Sequence, residues 1–326
     1  MTKNTITRHG EWIQIKSPVH FPLQWVNSYL FPEEEGYTLV DPGLHTEQNI
    51  QHWQETLSEL GIRMTQIRRI VLTHHHPDHY GLSGWMQQQS GAEVWMSETA
   101  WKQTQFMWGE QETVSTDLPK LFARHGYPDD LQPDMHKHIQ GFIMKTVPHP
   151  EVKFFKLDAP FILGGRCYEM IESHGHASGH ISFYDADRGV IFCGDQVLPR
   201  ISPNISYLPG QDPDPLQSYL SSLEQMATLS VVQAYPGHRE PFQHFQSRAQ
   251  ELIKHHEVRL AHIHRLAVES DITAYDICQQ TFGDRLTVHQ MRFAMSEMIA
   301  HLVYLAKKGQ LQVQETDGLL RYRAAN

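Results

Sequence analysis

Apolar positions between residues 46 and 60 recur at helical spacing. Ile50, Trp53, Leu57 and Leu60 share one face, with Thr46 placed as an N-cap and Gly61 as a C-terminal cap. On both sides the period becomes that of strands. Residues 25–40 read as strand segments interrupted by the turn-formers Pro32–Gly36, and Tyr37–Val40 runs into Asp41-Pro42-Gly43. Arg69–Thr73 is a short, largely apolar run that leads directly into His74. This strand–helix–strand order predicts an α/β fold. Residues 97–135 carry Trp101, Phe106, Met107, Trp108 and Phe122 and predict mostly helix. Short strands are predicted over 153–157, 161–163, 167–172, 181–184 and 190–193, so the second half repeats the strand-rich texture of the first. From about Arg248 helices return. Met291, Met295, Met298, Leu302 and Leu305 form one stripe, suited to core or dimer packing. Leu311–Gln314 and Leu319–Tyr322 flank a hairpin signal at Glu315–Gly318. Helices followed by a hairpin predict a small winged-helix-like α+β domain.

The length of 326 residues suits one large domain and one small one. We expect residues 1–247 to form the larger and 248–326 the smaller. Within the first, 97–135 is a helical insertion that either covers a site or packs against the core. No run of about eighteen apolar residues occurs, so no membrane span is expected. Residues 1–8 are polar, without the apolar stretch of a secretory signal. Cys167, Cys193 and Cys278 are odd in number and widely spaced, which predicts buried thiols and a cytoplasmic protein rather than a disulfide framework. The net charge of −10 disfavours a polyanionic partner, and residues 249–326 balance nine Lys/Arg against nine Asp/Glu.

Histidine, at 23 copies, is the outlier. The decisive segment is Thr73–His79, which contains H-x-H-x-D-H as His74, His76, Asp78 and His79. Imidazole and carboxylate suit zinc and similar borderline metals. Residues two apart on an extended loop point the same way, so His74 and His76 can grip one ion. Asp78 and His79, at the turn into a helix, can face a second. His75 points away. Further ligands must come from elsewhere. Residues 173–180 offer His176, with His174 as a rival; Asp195 ends an apolar strand; His238 tips a turn. All three stand just beyond strand ends, where open α/β sheets build sites. His255, His256, His262 and His264 are expected on solvated helix faces.

The order H-x-H-x-D-H, G-H, G-D, G-H resembles the metallo-β-lactamase superfamily, including glyoxalase II-like hydrolases, over about residues 12–240. The resemblance implies an αββα sandwich holding two divalent metal ions, zinc first, with manganese or iron also suited to these ligands. It implies that His74, His76 and His176 hold the first metal, Asp78, His79 and His238 the second, and that Asp195 bridges them. It places Asp41 behind the ligands as an orienting carboxylate, with His180 also behind them. Two such ions about 3.5–4 Å apart would activate a bridging hydroxide for attack on a carbonyl or phosphorus. Asp78 would be the catalytic residue, touching that hydroxide and accepting a proton.

Departures from subfamily patterns narrow the substrate. True β-lactamases of the superfamily have cysteine or serine where Asp195 stands, and di-iron oxygen-reducing relatives have a carboxylate where His76 stands. Sulfur dioxygenase relatives share most of these ligands. Lactonases place a tyrosine where this chain has Leu198, which leaves Tyr207 as a substitute. Glutathione-binding lysine and tyrosine are replaced by a stretch containing Arg200, Asn204 and Tyr207. The tail resembles that of the β-lactamase-like protein 2 group, some of which cut single-stranded RNA. Its candidate recognition helix offers Arg292 but also Glu297 and the apolar stripe, so the tail reads as a packing, lid or dimerisation module. The expected activity is hydrolysis of a small ester, thioester or lactone with an acyl portion. The alternatives are a phosphodiesterase or endoribonuclease on single-stranded RNA, and a non-enzymatic metal-stabilised binding protein.

Overall fold

The computed structural model describes residues 5–19, 23–269 and 271–325. Residues 1–4 of the polar N-terminal stretch therefore lie outside it.

The first sheet has the order β1 (Ile6–Arg8), β2 (Ile13–Pro18), β3 (Trp25–Glu33), β4 (Gly36–Val40), β5 (Ile67–Val71), β6 (Glu93–Met96), β7 (Val152–Phe154). The pairs up to β3–β4 are antiparallel and those from β4 to β7 parallel. β3 runs through Pro32 instead of breaking there. Its pairing with β2 ends at Leu30, so Pro32 faces a partner on one side only and its missing N–H costs no ladder bond. The second sheet has the order β12 (Gln233–Pro236), β11 (Val190–Gly194), β10 (His180–Asp185), β9 (Arg166–Ser173), β8 (Phe161–Leu163).

Aromatic side chains fill the space between the sheets. Phe192 of β11 meets Phe31 at 5.0 Å, Tyr29 at 5.0 Å and Trp12 at 5.2 Å between ring centroids. Such edge and tilted pairs add to their burial energy. α1 (Glu47–Leu60) inserts Trp53, fully buried, into this core. Thr46 caps it by accepting from Asn49 N–H, and Gly61 closes it at φ 69°. α2 (Pro77–Tyr80) and α3 (Ser83–Ser90) follow β5.

A second core lies among helices. α4 (Glu98–Trp108), α5 (Val114–Arg124) and α6 (Gln132–Ile143) carry the predicted helical stretch eight residues beyond 135. They join α7 (Pro215–Met226), α8 (Phe245–Glu269), α9 (Ala274–Phe282) and α10 (Val288–Lys307). Met107, Phe122, Tyr219 and Leu223 share one buried cluster with Met295, Met298, Leu302 and Leu305. The methionine stripe is thus core. The hairpin β13 (Leu311–Thr316) and β14 (Leu319–Ala324) turns on Asp317 and Gly318, both at positive φ, the geometry a two-residue hairpin turn demands.

Two expectations need correction. Cys193 and Cys278 are buried, but Cys167 is exposed near the start of β9. His256 is fully buried, because α8 packs against both α7 and α10 and His256 falls on the inner face. Arg292 and Glu297 of the candidate recognition helix are also turned inward.

Candidate metal centre

The site lies at the carboxyl ends of strands, where the backbone stops being paired and side chains converge. The loop after β5 delivers His74 and His76, and α2 opens immediately with Pro77 at its first position, so Asp78 and His79 sit on a rigid first turn. The loop between β9 and β10 carries His176, the end of β11 carries Asp195, and the turn after β12 carries His238. Two triads form. Ligand atoms of His74, His76 and His176 lie within 4.8 Å of one another, as do those of Asp78, His79 and His238. Asp195 stands between them: its Oδ1 is 3.5 Å from His79 Nε2, and its Oδ2 is 3.3 Å from His238 Nε2 and 3.8 Å from His176 Nε2.

Hydrogen bonds on the outer side of the cluster fix which nitrogen faces inward. His79 Nδ1–H donates to Asp41 Oδ2 at 2.8 Å, His176 Nδ1–H to the Asn204 carbonyl at 3.0 Å, and His238 Nδ1–H to the Trp25 carbonyl at 2.7 Å. Thr73 O–H donates to Asp41 Oδ2, leaving its oxygen to accept from His74 Nδ1–H at 2.9 Å. Each of these rings then presents Nε2 to the interior. His79, His176 and His238 Nε2 and Asp195 Oδ1 are buried and face one another or a carboxylate, without a well-formed hydrogen bond. His74 Nε2 lies 3.1 Å from His76 Nδ1, close enough for the two ring nitrogens to share a proton or a cation. Buried polar atoms left this way are costly unless something occupies the space between them. The donor set therefore fits two divalent ions.

Charge is arranged to the same end. Burial pushes His74 and His76 well below the usual imidazole range, and neighbouring imidazoles add to this. Burial opposes protonation of His238 too, yet Asp195 and Asp78 hold it up to about 10. His79 is likewise raised by Asp195 and Asp41 against its burial. The two inner carboxylates thus demand positive charge beside them.

Close packing leaves no slack. A Cβ on Gly237 would stand 2.2 Å from Asp195 Oδ1, and one on Gly194, at φ 46°, 2.4 Å from His180 Nε2. His180 is buried behind the cluster, its Nε2 accepting from Asp195 N–H at 3.2 Å. His174 stays outside, accepting from Gly179 N–H, and His75 is buried with both ring nitrogens unpartnered.

Residues 25–238 match the sequence pattern described as the metallo-beta-lactamase superfamily. The chain belongs to that superfamily. Residues 260–325 match the pattern of the metallo-beta-lactamase-like C-terminal domain. A crystallised metallo-beta-lactamase family protein of Thermus thermophilus superposes with TM-score 0.87 at 30% identity, over 97% of this chain and 99% of the other. The Bacillus subtilis protein named Probable metallo-hydrolase YqjP is 28% identical over 89% of this chain and 90% of its own length. The hydroxyacylglutathione hydrolase GloC of Haemophilus influenzae is 28% identical over 52% of this chain and 64% of its own.

In this metallo-beta-lactamase superfamily member His76, Asp78, His176, Asp195 and His238 of the candidate metal site line a cavity of about 1020 Å³. Met107 and Trp108 at the end of α4 line it, as do His138 and Phe142 of α6, Leu198, and Arg292 and Phe293 of α10. The cavity thus has a wall from the C-terminal helices, which the one-dimensional pattern did not reveal. Tyr207 is not among the lining residues, while Asn204 is. Asn204 also links the two halves: its peptide oxygen holds His176, and its side chain donates to Glu297 Oε2 at 2.8 Å. No helix among the described residues is long and apolar enough to cross a membrane.

Proposed function

We propose that this protein is a two-metal hydrolase of a small ester, thioester or lactone. The observation that carries the reading is the pair of triads around Asp195, with His76, Asp78, His176, Asp195 and His238 open to a cavity that Met107, Trp108, Leu198 and Phe293 also line. His74, His76 and His176 would hold one ion, Asp78, His79 and His238 the other, and Asp195 both. When bound, such ions lower the pKa of a water between them and polarise a carbonyl oxygen. Asp78 lines the cavity, with Oδ2 3.1 Å from His238 Nε2, and can take and return a proton at that oxygen. Asp41 and the Asn204 carbonyl hold His79 and His176 in register, so the ligand rings need not reorganise. Met107, Trp108, Leu198 and Phe293 exclude water and accept an acyl chain. The likeness to a protein named as a hydroxyacylglutathione hydrolase supports an acyl substrate. The two matched family patterns support a division into 1–247 and a winged-helix-like 248–326.

The test is turnover of a panel by zinc-loaded protein: an acyl thioester, an acyl-homoserine lactone, bis-p-nitrophenyl phosphate and single-stranded RNA. Turnover of the carbonyl compounds, abolished by a chelator and restored by zinc, is expected. Cleavage of the phosphodiesters alone would replace this reading by the nuclease, and turnover of none of the four by the binding protein.

A further inference from the structure

The lining of the cavity carries an unusual cation, contributed by α10. Arg292 is only 8% exposed, yet its guanidinium has no hydrogen bond or ion pair among the described residues. It lies over the rings of Phe142 and Phe293, at 5.3 and 5.2 Å from their centroids. Lys145 also lies over Phe142, at 5.2 Å, and is equally without a carboxylate partner among the described residues. His289 stacks on Phe142 at 5.7 Å and contacts His138 at 5.3 Å between centroids; His138 Nε2 is buried and unpartnered. Arg292, Lys145, His138 and His289 are thus grouped around Phe142, and all four line the cavity. Asp78, Asp134, Asp195 and Asp212 line it too, but Asp78 and Asp195 face the histidines of the candidate metal site, Asp134 is on the exposed side of α6, and Asp212 accepts from the Asp214 N–H.

A buried charge without a counter-charge is strongly disfavoured. Burial lowers the Arg292 pKa to about 10, so it keeps its proton at neutral pH. The aromatic faces offset part of that cost. The fork of N–H donors stays free, in a shape that matches a planar or tetrahedral oxyanion. Buried, unpaired and turned to a cavity, it lacks one component: an anion from outside.

We propose that Arg292, with Lys145, His138 and His289, binds an anionic group of the substrate, a carboxylate or phosphate remote from the bond that is cut. The substrate class narrows to acyl esters or thioesters bearing a negative charge at one end. The C-terminal helix α10, through Arg292, then sets specificity while the metal cluster sets the chemistry. The anion site rests on Arg292 itself; only the identity of the bond cut rests on the hydrolase reading.

Two measurements test this separately. The first uses no catalysis: calorimetric titration of metal-free protein with glutarate and with inorganic phosphate, comparing wild type, Arg292→Lys and Arg292→Met. Binding by wild type that falls roughly tenfold to hundredfold in Arg292→Met, with partial recovery in Arg292→Lys, is expected. The tighter of the two anions names the group. Equal binding by wild type and Arg292→Met, or no binding of either anion by wild type, overturns the proposal; the wild-type arm holds even if a variant does not fold. The second compares zinc-loaded protein on mono-p-nitrophenyl glutarate and p-nitrophenyl pentanoate, which differ in the terminal charge. A higher kcat/KM for the glutarate ester, with the ratio collapsing toward one in Arg292→Met through KM, is expected. Both esters cut at equal rates would overturn the anion site and leave the hydrolase reading standing. Cleavage of neither, with anion binding intact, would do the reverse.

Discussion

Asp41 is the residue on which the second triad leans. It is a non-glycine at φ 53°, a conformation that costs energy and persists only where the surroundings demand it. Its carboxylate accepts from Thr73 N–H, Thr73 O–H and His79 Nδ1–H, so one side chain orients two ligand rings, His79 directly and His74 through Thr73. Asp41→Ala should lower zinc affinity roughly tenfold to hundredfold, measured by competition with a chromophoric chelator. Affinity equal to wild type would remove Asp41 from that role. At this scale the sequence was most legible for the candidate ligands that the fold brings together, because H-x-H-x-D-H packs four of them into six residues of one loop and turn. Their partners were less so. The carbonyls of Trp25 and Asn204 hold His238 and His176, and a backbone oxygen leaves no mark in a residue string.

The helices α8 and α10 hide a polar contact in an apolar interface. His301 Nδ1–H donates to the Glu297 carbonyl at 2.7 Å, so its Nε2 accepts from His256 Nδ1–H at 3.0 Å. Both rings are therefore neutral, and burial lowers His256 to about 2 and His301 to about 3. In the unfolded chain each takes a proton near pH 6.5. Below that pH the unfolded state binds more protons than the folded one, so stability falls with falling pH, from about 6.5 toward 3. Each such histidine contributes a slope of about 1.4 kcal/mol per pH unit once the unfolded form is fully protonated. His301→Leu should flatten the urea-midpoint profile between pH 6 and 4.5 by one proton's worth; an unchanged slope would mean that His301 titrates normally. The inward turn of His256 was readable after all. It continues the phase of Ala249, Leu252, Leu260, Ile263 and Ala267 along α8, and only its residue type suggested solvent.

At the scale of the molecule, the division proposed at residue 247 does not separate two packing units, and α8 runs unbroken through it from Phe245 to Glu269. Leu216, Tyr219 and Leu223 of α7 lie in one buried cluster with Ile263, Met295, Met298 and Leu302 of the tail. Exposing even six such side chains, at about 1.5–3 kcal/mol each, matches or exceeds the whole stability of a typical domain. A chain ended at residue 247 should therefore lose cooperative thermal unfolding. It should also bind zinc more weakly, because Glu297 no longer holds Asn204 beside His176. A monomeric 1–247 fragment with a sharp transition and full zinc content would contradict the shared core. This long-range packing escaped the sequence because strand and helix periods report which face is buried and not against what.

The cavity is lined both by candidate metal-site residues between His76 and His238 and by residues around Arg292, segments far apart in the gene. Mutation can therefore reshape what enters without disturbing what reacts, and descendants of such a protein could diverge in diet while inheriting one unchanged set of teeth.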